Sequence, residues 1–482
     1  MATACAMPQG GGTFEIALVL DNTGSMGEHT SSGDTKIQAA KNAALALIKQ
    51  LNAPGAAPMA SFSVVPFTTS VNVGAGFQTA SWMDTGGASS IHWQNYDRPS
   101  GASWIPGSRF DLLSGMGATW GGCVEERPDP YLVTDDRADP GKPDTLFVPY
   151  LWPDEGDVQG DGAPQLPSRN GNGQTDGNGN GWGNGNGWGN GWGNGNGWGN
   201  SNSNSNSYCA ANWQNASTGM NNYLYDFGGV CTATDDAYEA ADVADAISQG
   251  SGATKICKYK GATGVLSSVA SNGPNYNCIQ TPLMTLTQDT QALTARINSM
   301  NAGGDTNLLP GFMWGWRTIS PNGPFGDQAI APKSYTSPGN TKAIVFMTDG
   351  FNNWASNPNY AYKSEYNALG YYVDNRLQGY GGATYPTPSG GTSYNGSTNA
   401  NNWRQQMDAA LLAACANAKA AGVIVYTVGF SIPSDPIDSE GLALLRSCAT
   451  DSTHAFIAQD GNALVSAFGQ IGVGLGKIKL SK

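Results

Sequence analysis

Residues Phe14 to Leu20 form a near-continuous apolar run (FEIALVL) that gives way at once to Asp21-Asn22-Thr23-Gly24-Ser25. A run without polar alternation predicts a strand buried on both faces, as in a parallel sheet. Beyond it Ile37, Ala40, Ala44, Leu47, Ile48 and Leu51 recur at helical spacing, and Asp34 or Thr35 can cap the helix they predict. Lys36, Lys41 and Lys49 are expected on the outer face of that helix. Met59 to Phe67 (MASFSVVPF) reads as a second strand, with Pro66 marking its end.

From about 75 to 282 no strand–helix alternation is sustained. The first part sets Trp82, Trp93, Tyr96, Trp104, Phe110 and Trp120 among turn formers, and residues 160–207 are a Gly/Asn/Trp low-complexity tract closing on SNSNSNS. Such a tract buries too little apolar surface to offset the ordering of its backbone, so a disordered linker or tether is expected. Alternation resumes at Leu286, where Thr287 or Thr290 can cap a helix carrying Leu293, Ile297 and Met300. Gly303-Gly304-Asp305-Thr306-Asn307 leads into a second helical stretch, Leu308 to Trp316, and Ala343 to Thr348 is a buried strand ending in Asp349-Gly350. Residues 351–398 form a second, Gly/Asn/Tyr-rich insertion. A helix over about 402–420, a strand from Val423 to Phe430, a helix over 438–447, a strand at Ala455 to Ala458 and a helix over 460–475 complete the set. Residues 13–74 and 283–482 are therefore expected to build one discontinuous α/β domain, doubly wound on a mostly parallel sheet, with 75–282 as a long insertion containing cysteines and aromatics.

Charged residues make up 13% of the 482-residue chain, about half the usual share, and the net charge is −13. That balance argues against nucleic-acid binding and against anionic lipid surfaces. The eight cysteines (5, 123, 209, 231, 257, 278, 415 and 448) form no CxxC pair, so disulfides in an oxidising compartment are favoured over a zinc ribbon or thioredoxin chemistry. Five of them fall within 75–282, so at least one there is free or bridges outside that segment. Cys415 and Cys448 flank neighbouring elements and are nominated as a pair. No run reaches the ~18 apolar residues of a transmembrane helix, and the N-terminus lacks the regions of a signal peptide. An extracytoplasmic location therefore implies an N-terminal export or anchor segment missing from this chain.

The candidate chemistry lies at strand ends. Asp21, Thr23 and Ser25 offer a carboxylate and two hydroxyls at alternate positions of one loop, where ligands bind in parallel α/β sheets. Hard oxygen donors with few carboxylates suit Mg²⁺ or Mn²⁺, with Ca²⁺ also admitted; the same residue types also make ordinary turns. Asp349 would face Asp21, and two carboxylates without a cation repel until one raises its pKa. No catalytic residues are nominated: His29, His92 and His454 lack an HExxH spacing, and Gly24-Ser25-Met26-Gly27 is not a nucleophile elbow. The acidic stretch Asp135, Asp136, Asp139, Asp144, Asp154, Glu155 and Asp157 lacks EF-hand order and is expected to be a solvated loop.

The order D-x-T-x-S, then Thr306 after a Gly-rich turn, then Asp349 in a T-D-G turn, resembles the metal-ion-dependent adhesion site (MIDAS) of von Willebrand factor A domains. Thr23 replaces the first Ser of that pattern and keeps its hydroxyl. The resemblance implies the Rossmann-like vWA fold, metal ligands Asp21, Thr23, Ser25, Thr306 and Asp349, and an open coordination position filled by a partner's carboxylate. SVVPFTTSVNVG (63–74), SSIHWQNY (89–96), GGCVEERPDPY (121–131), PDTLFVPYLWPDEGD (143–157), WGW (314–316) and FMTDG (346–350) further resemble the TadG-like Tad (Flp) pilus assembly family, whose members are membrane-anchored. This second resemblance implies a non-enzymatic, extracytoplasmic component of a pilus or surface apparatus that engages an acidic residue of a pilus or envelope protein. A surface adhesin for matrix or glycans, and an A-domain subunit assisting an ATPase, are the alternatives.

Overall fold

The computed structural model describes residues 12–31, 33–53, 60–95, 107–115, 118–152, 158–159, 220–221, 274–355, 364–380 and 400–480. The low-complexity tract at 160–207, Cys5, Cys209, Cys231, Cys257, Tyr96, Trp104, Asp154, Glu155, Asp157 and most of 351–398 lie outside the described residues.

Among the described residues the central sheet has six strands: β1 (Thr13–Asp21), β2 (Ala60–Phe67), β3 (Met284–Thr287), β4 (Asn340–Thr348), β5 (Ile424–Phe430) and β6 (Ala455–Ala458). Their spatial order is β6-β5-β4-β1-β2-β3, with every pairing parallel except β3 against β2. Successive strand residues point to opposite faces, and here both faces are apolar. On β1, Phe14, Ile16, Leu18 and Leu20 enter one core while Ala17 and Val19 enter the other. Helices α1 (Lys36–Leu51), α2 (Thr290–Asn298) and α6 (Gly461–Leu480) cover the first face; α3 (Leu308–Ile319), α4 (Ala400–Ala420) and α5 (Ser439–Cys448) cover the second. The structure is thus a mostly parallel α/β sheet between two helical layers.

Helix α3 lies unusually close to the sheet because it carries Gly311 and Gly315. A Cβ on Gly311 would come within 2.5 Å of the Phe67 ring, and one on Gly315 within 2.2 Å of Val19 Cγ2. That close approach fixes the loop before α3, which carries Thr306.

The described part of 75–282 packs onto the α3 side and shares its core. Trp82, Phe110, Trp120, Phe147 and Leu151 belong to the same apolar cluster as Val19, Phe346 and Trp314, and the Phe147 and Trp314 rings lie 4.7 Å apart. Cys123 is disulfide-bonded to Cys278, and Cys415 to Cys448. The buried Arg317 pairs with Glu126 at 2.7 Å across this contact.

Four sequence expectations need correction. Residues 284–287 form an edge strand, and the cap of α2 is Asp289, whose side chain accepts from Gln291 N and Ala292 N. Lys36 and Lys41 are buried rather than outward, Lys41 donating to Asn298 O at 3.1 Å; Lys49 is exposed. Asp135 is no free surface carboxylate, since it accepts from Tyr335 Oη at 2.6 Å and from Ser320 Oγ at 2.5 Å. Asp144 likewise accepts from Ser90 N at 2.7 Å.

Candidate metal centre

The strand order reverses between β1 and β4, the place where open α/β sheets bind their ligands. Leu20 pairs with Met347, so Asp21 at the end of β1 falls beside Thr348, and Asp349 follows directly. Asp21 is fully buried. Its Oδ1 accepts from Thr23 N at 2.8 Å and its Oδ2 from Thr348 Oγ1 at 2.6 Å. Ser25 Oγ donates to Asp349 Oδ1 at 2.9 Å and lies 3.2 Å from Thr23 Oγ1. The hydroxyls of Thr23 and Ser25 and the Asp349 carboxylate thus form a chain of oxygen contacts, which Asp21 joins through the backbone N–H of Thr23. Thr306 reaches the same end of the sheet: it is 8% exposed, and a Cβ on Gly350 would lie 3.9 Å from its Oγ1.

Backbone bonds hold the three loops together. Gly24 N donates to Gly304 O and Gly303 N to Asn22 O, both at 2.8 Å; Asn22 N donates to Phe67 O at 2.9 Å. Asn307 N donates to Thr68 O at 3.0 Å, and Asn353 N to Thr306 O at 2.8 Å. Gly304 makes its turn at φ 77°, a conformation that suits glycine. Asp305, beside Thr306, accepts from Asn353 Nδ2 at 3.2 Å. Asn352 joins the next layer, accepting from Leu308 N at 2.9 Å and donating to Asp408 Oδ1 at 2.7 Å.

Sequence reasoning missed Lys36. Its ammonium, fully buried, donates to Asp349 Oδ2 at 2.7 Å and to Asp435 Oδ2 at 2.5 Å. The missed signal was its position: a cation in the first turn opposes the helix dipole, which favours acids there. At the first residue of α1, the side chain reaches across the sheet end instead of following the helix's outer face.

Burial, reinforced by the Asp349 charge, pushes the Asp21 carboxyl up to about 7. Burial also raises Asp349, against the opposing pull of Lys36 and Ser25. For Lys36 burial works downward, yet Asp349 and Asp435 outweigh it and hold the ammonium above the usual lysine range. Among the described residues no three His, Cys, Asp or Glu side chains gather into a metal cluster. The donors here are two buried carboxylates with the hydroxyls of Thr23, Ser25 and Thr306, an all-oxygen set suited to Mg²⁺ or Mn²⁺. The raised Asp21 is the strain that a divalent ion would relieve, so the residues fit such an ion.

No protein-family profile matches the chain, and no curated protein does. Among solved structures it is similar to the pilus adhesin SpaC of Lactobacillus rhamnosus GG (9% identity, TM-score 0.34, covering 97% of this chain and 31% of that one). It is also similar to the adhesive tip pilin GBS104 of Group B Streptococcus agalactiae (11% identity, TM-score 0.36, 96% and 100% covered). A third likeness is to the vWF domain of the type V pili tip protein Mfa5 of Porphyromonas gingivalis (16% identity, TM-score 0.24, 40% and 74% covered). The match covers 31% of SpaC and 46% of one solved structure of the mussel byssus protein PTMP1. None of these scores reaches one half, and the functional reading rests on the residues themselves.

Proposed function

We propose that this protein is a non-enzymatic, metal-dependent binding protein. Asp21, Thr23, Ser25, Thr306 and Asp349 would hold a Mg²⁺ or Mn²⁺ ion, and the ion would offer an open position to a carboxylate of a partner protein. The observation that carries the reading is the contact of Thr23 Oγ1, Ser25 Oγ and Asp349 at the strand switch point, with Asp21 held beside them by the backbone N–H of Thr23. Two protein carboxylates just neutralise a divalent ion, and five protein oxygens would leave one position of an octahedral ion open. When bound, it supplies Lewis acidity toward an anionic oxygen; the protein's own part is to fix the loops and bury the carboxylates.

Two disulfides among the described residues support an oxidising, extracytoplasmic setting. Among those residues no helix is long and apolar enough to cross a membrane. The resemblance to TadG-like proteins supports a pilus or envelope protein as the partner. Water-proton relaxation with Mn²⁺ tests the open position. Bound Mn²⁺ should enhance relaxation through an exchanging water, and acetate should suppress that enhancement in the wild type; an enhancement that acetate leaves unchanged contradicts the reading.

A further inference from the structure

We propose that Lys36 is a resident counter-cation of this centre, which stands in for the divalent ion at Asp349 and sets metal affinity to a weaker range. The inference rests on the metal-binding reading above and concerns how strongly that site binds. A buried lysine is costly unless paired, yet this one is fully buried and salt-bridged to a nominated metal ligand. Its hold is specific: one Asp349 oxygen takes the ammonium and the other takes Ser25 Oγ. The opposite side of the ammonium meets Asp435, a half-exposed carboxylate on the segment between β5 and α5. Lys36 therefore joins the centre to a surface segment outside the five nominated ligands.

Charge alone has two consequences here. Without a divalent ion, Lys36 offsets Asp349, so the fold does not depend on metal to tolerate that buried carboxylate. With the ion present, a positive charge one carboxylate away repels it, and at short range in a partly buried site such repulsion is worth more than a tenfold change in binding. The site would then release and rebind metal readily, leaving tight binding to the metal–partner pair together.

The test is Mn²⁺ titration by calorimetry of wild type, Lys36→Met, Lys36→Arg and Asp21→Ala, with thermal melting in EDTA and in Mn²⁺. Lys36→Met should bind Mn²⁺ about tenfold tighter or more, melt lower than wild type in EDTA, and recover in Mn²⁺. Lys36→Arg, which keeps the charge, should stay within about threefold of wild type. Should Lys36→Met fail to fold in EDTA, folding on addition of Mn²⁺ is the expected result, and failure in both conditions overturns the proposal. Equal or weaker Mn²⁺ binding by Lys36→Met, with wild-type binding abolished by Asp21→Ala, also overturns it while leaving the metal site standing. No Mn²⁺ binding by any variant overturns the metal-binding reading itself, and the role of Lys36 with it.

Discussion

Thr348 Oγ1 donates to Asp21 Oδ2 at 2.6 Å, so the last residue of one strand holds the carboxylate that ends its parallel neighbour. The bond joins the two halves of the centre, because Asp21 belongs to the first loop and Thr348 leads directly into Asp349. Thr348 Oγ1 also accepts from Gly350 N at 3.1 Å. Thr348→Val, nearly the same shape, removes both bonds from a buried place. A hydrogen bond to a charged group contributes about 1.5–3 kcal/mol, so urea unfolding should report a loss of that order, with the fold retained.

The pH dependence originates in Asp21. Its folded pKa stands near 7, above the ~3.9 of an unfolded chain. Between those values the folded state binds more protons, so the stability of the metal-free protein should fall as pH rises through this window. Asp408, pushed up to about 7 chiefly by burial, acts in the same direction. Asp21→Asn should therefore flatten part of the slope between pH 4 and 7, leaving the part due to Asp408, to Asp374 (pushed up to about 6 by burial) and to the raised Asp349 and Glu126. Metal binding has the opposite dependence: Mn²⁺ must displace the proton on Asp21, so its affinity should rise with pH up to about 7 and then level off. Unfolding in EDTA and titration at pH 5, 6, 7 and 8 measure both.

Close packing of α3 can be tested without touching a ligand. Gly315→Ala sets a methyl against Val19 Cγ2, and overpacking of this kind costs about 1–3 kcal/mol. Because α3 follows the Thr306 loop, Mn²⁺ affinity should weaken along with stability in the same variant.

The Cys415–Cys448 bond spans a sequence separation of 33 residues. Loop-closure entropy gives a contribution of about 3–4 kcal/mol for a loop of that length. The double variant Cys415→Ser/Cys448→Ser should lose about that much in urea unfolding, while its metal affinity stays near wild type, since the bond joins α4 to α5 away from the nominated ligands.

The fold was legible where local pattern and burial agree. The near-continuous apolar runs at Phe14–Leu20 and Ala343–Thr348 and the helical spacing of Ile37 to Leu51 marked sheet and helices because both strand faces are buried. The short edge strand at Met284–Thr287 was not legible, since four residues carry too little periodicity to separate strand from helix approach. Asp21, Thr23, Ser25 and Asp349 could be nominated from sequence because each lies at a strand end, and the structure brings them into contact. Lys36 was placed on the outer face because helical phase describes where a Cβ points, while a long side chain in the first turn can reach elsewhere. The packing of Trp82 and Phe147 onto Trp314 is a long-range contact that no local pattern encodes.

The central claim is that Asp21 anchors a divalent-metal site. Thermal melting of wild type and Asp21→Ala in EDTA, Mg²⁺, Mn²⁺ and Ca²⁺ tests it most directly. Free metal ~10-fold above its Kd should stabilise the wild type by about 1.4 kcal/mol, with little or no shift in Asp21→Ala. Identical responses of the two proteins, or no response from either, would contradict it.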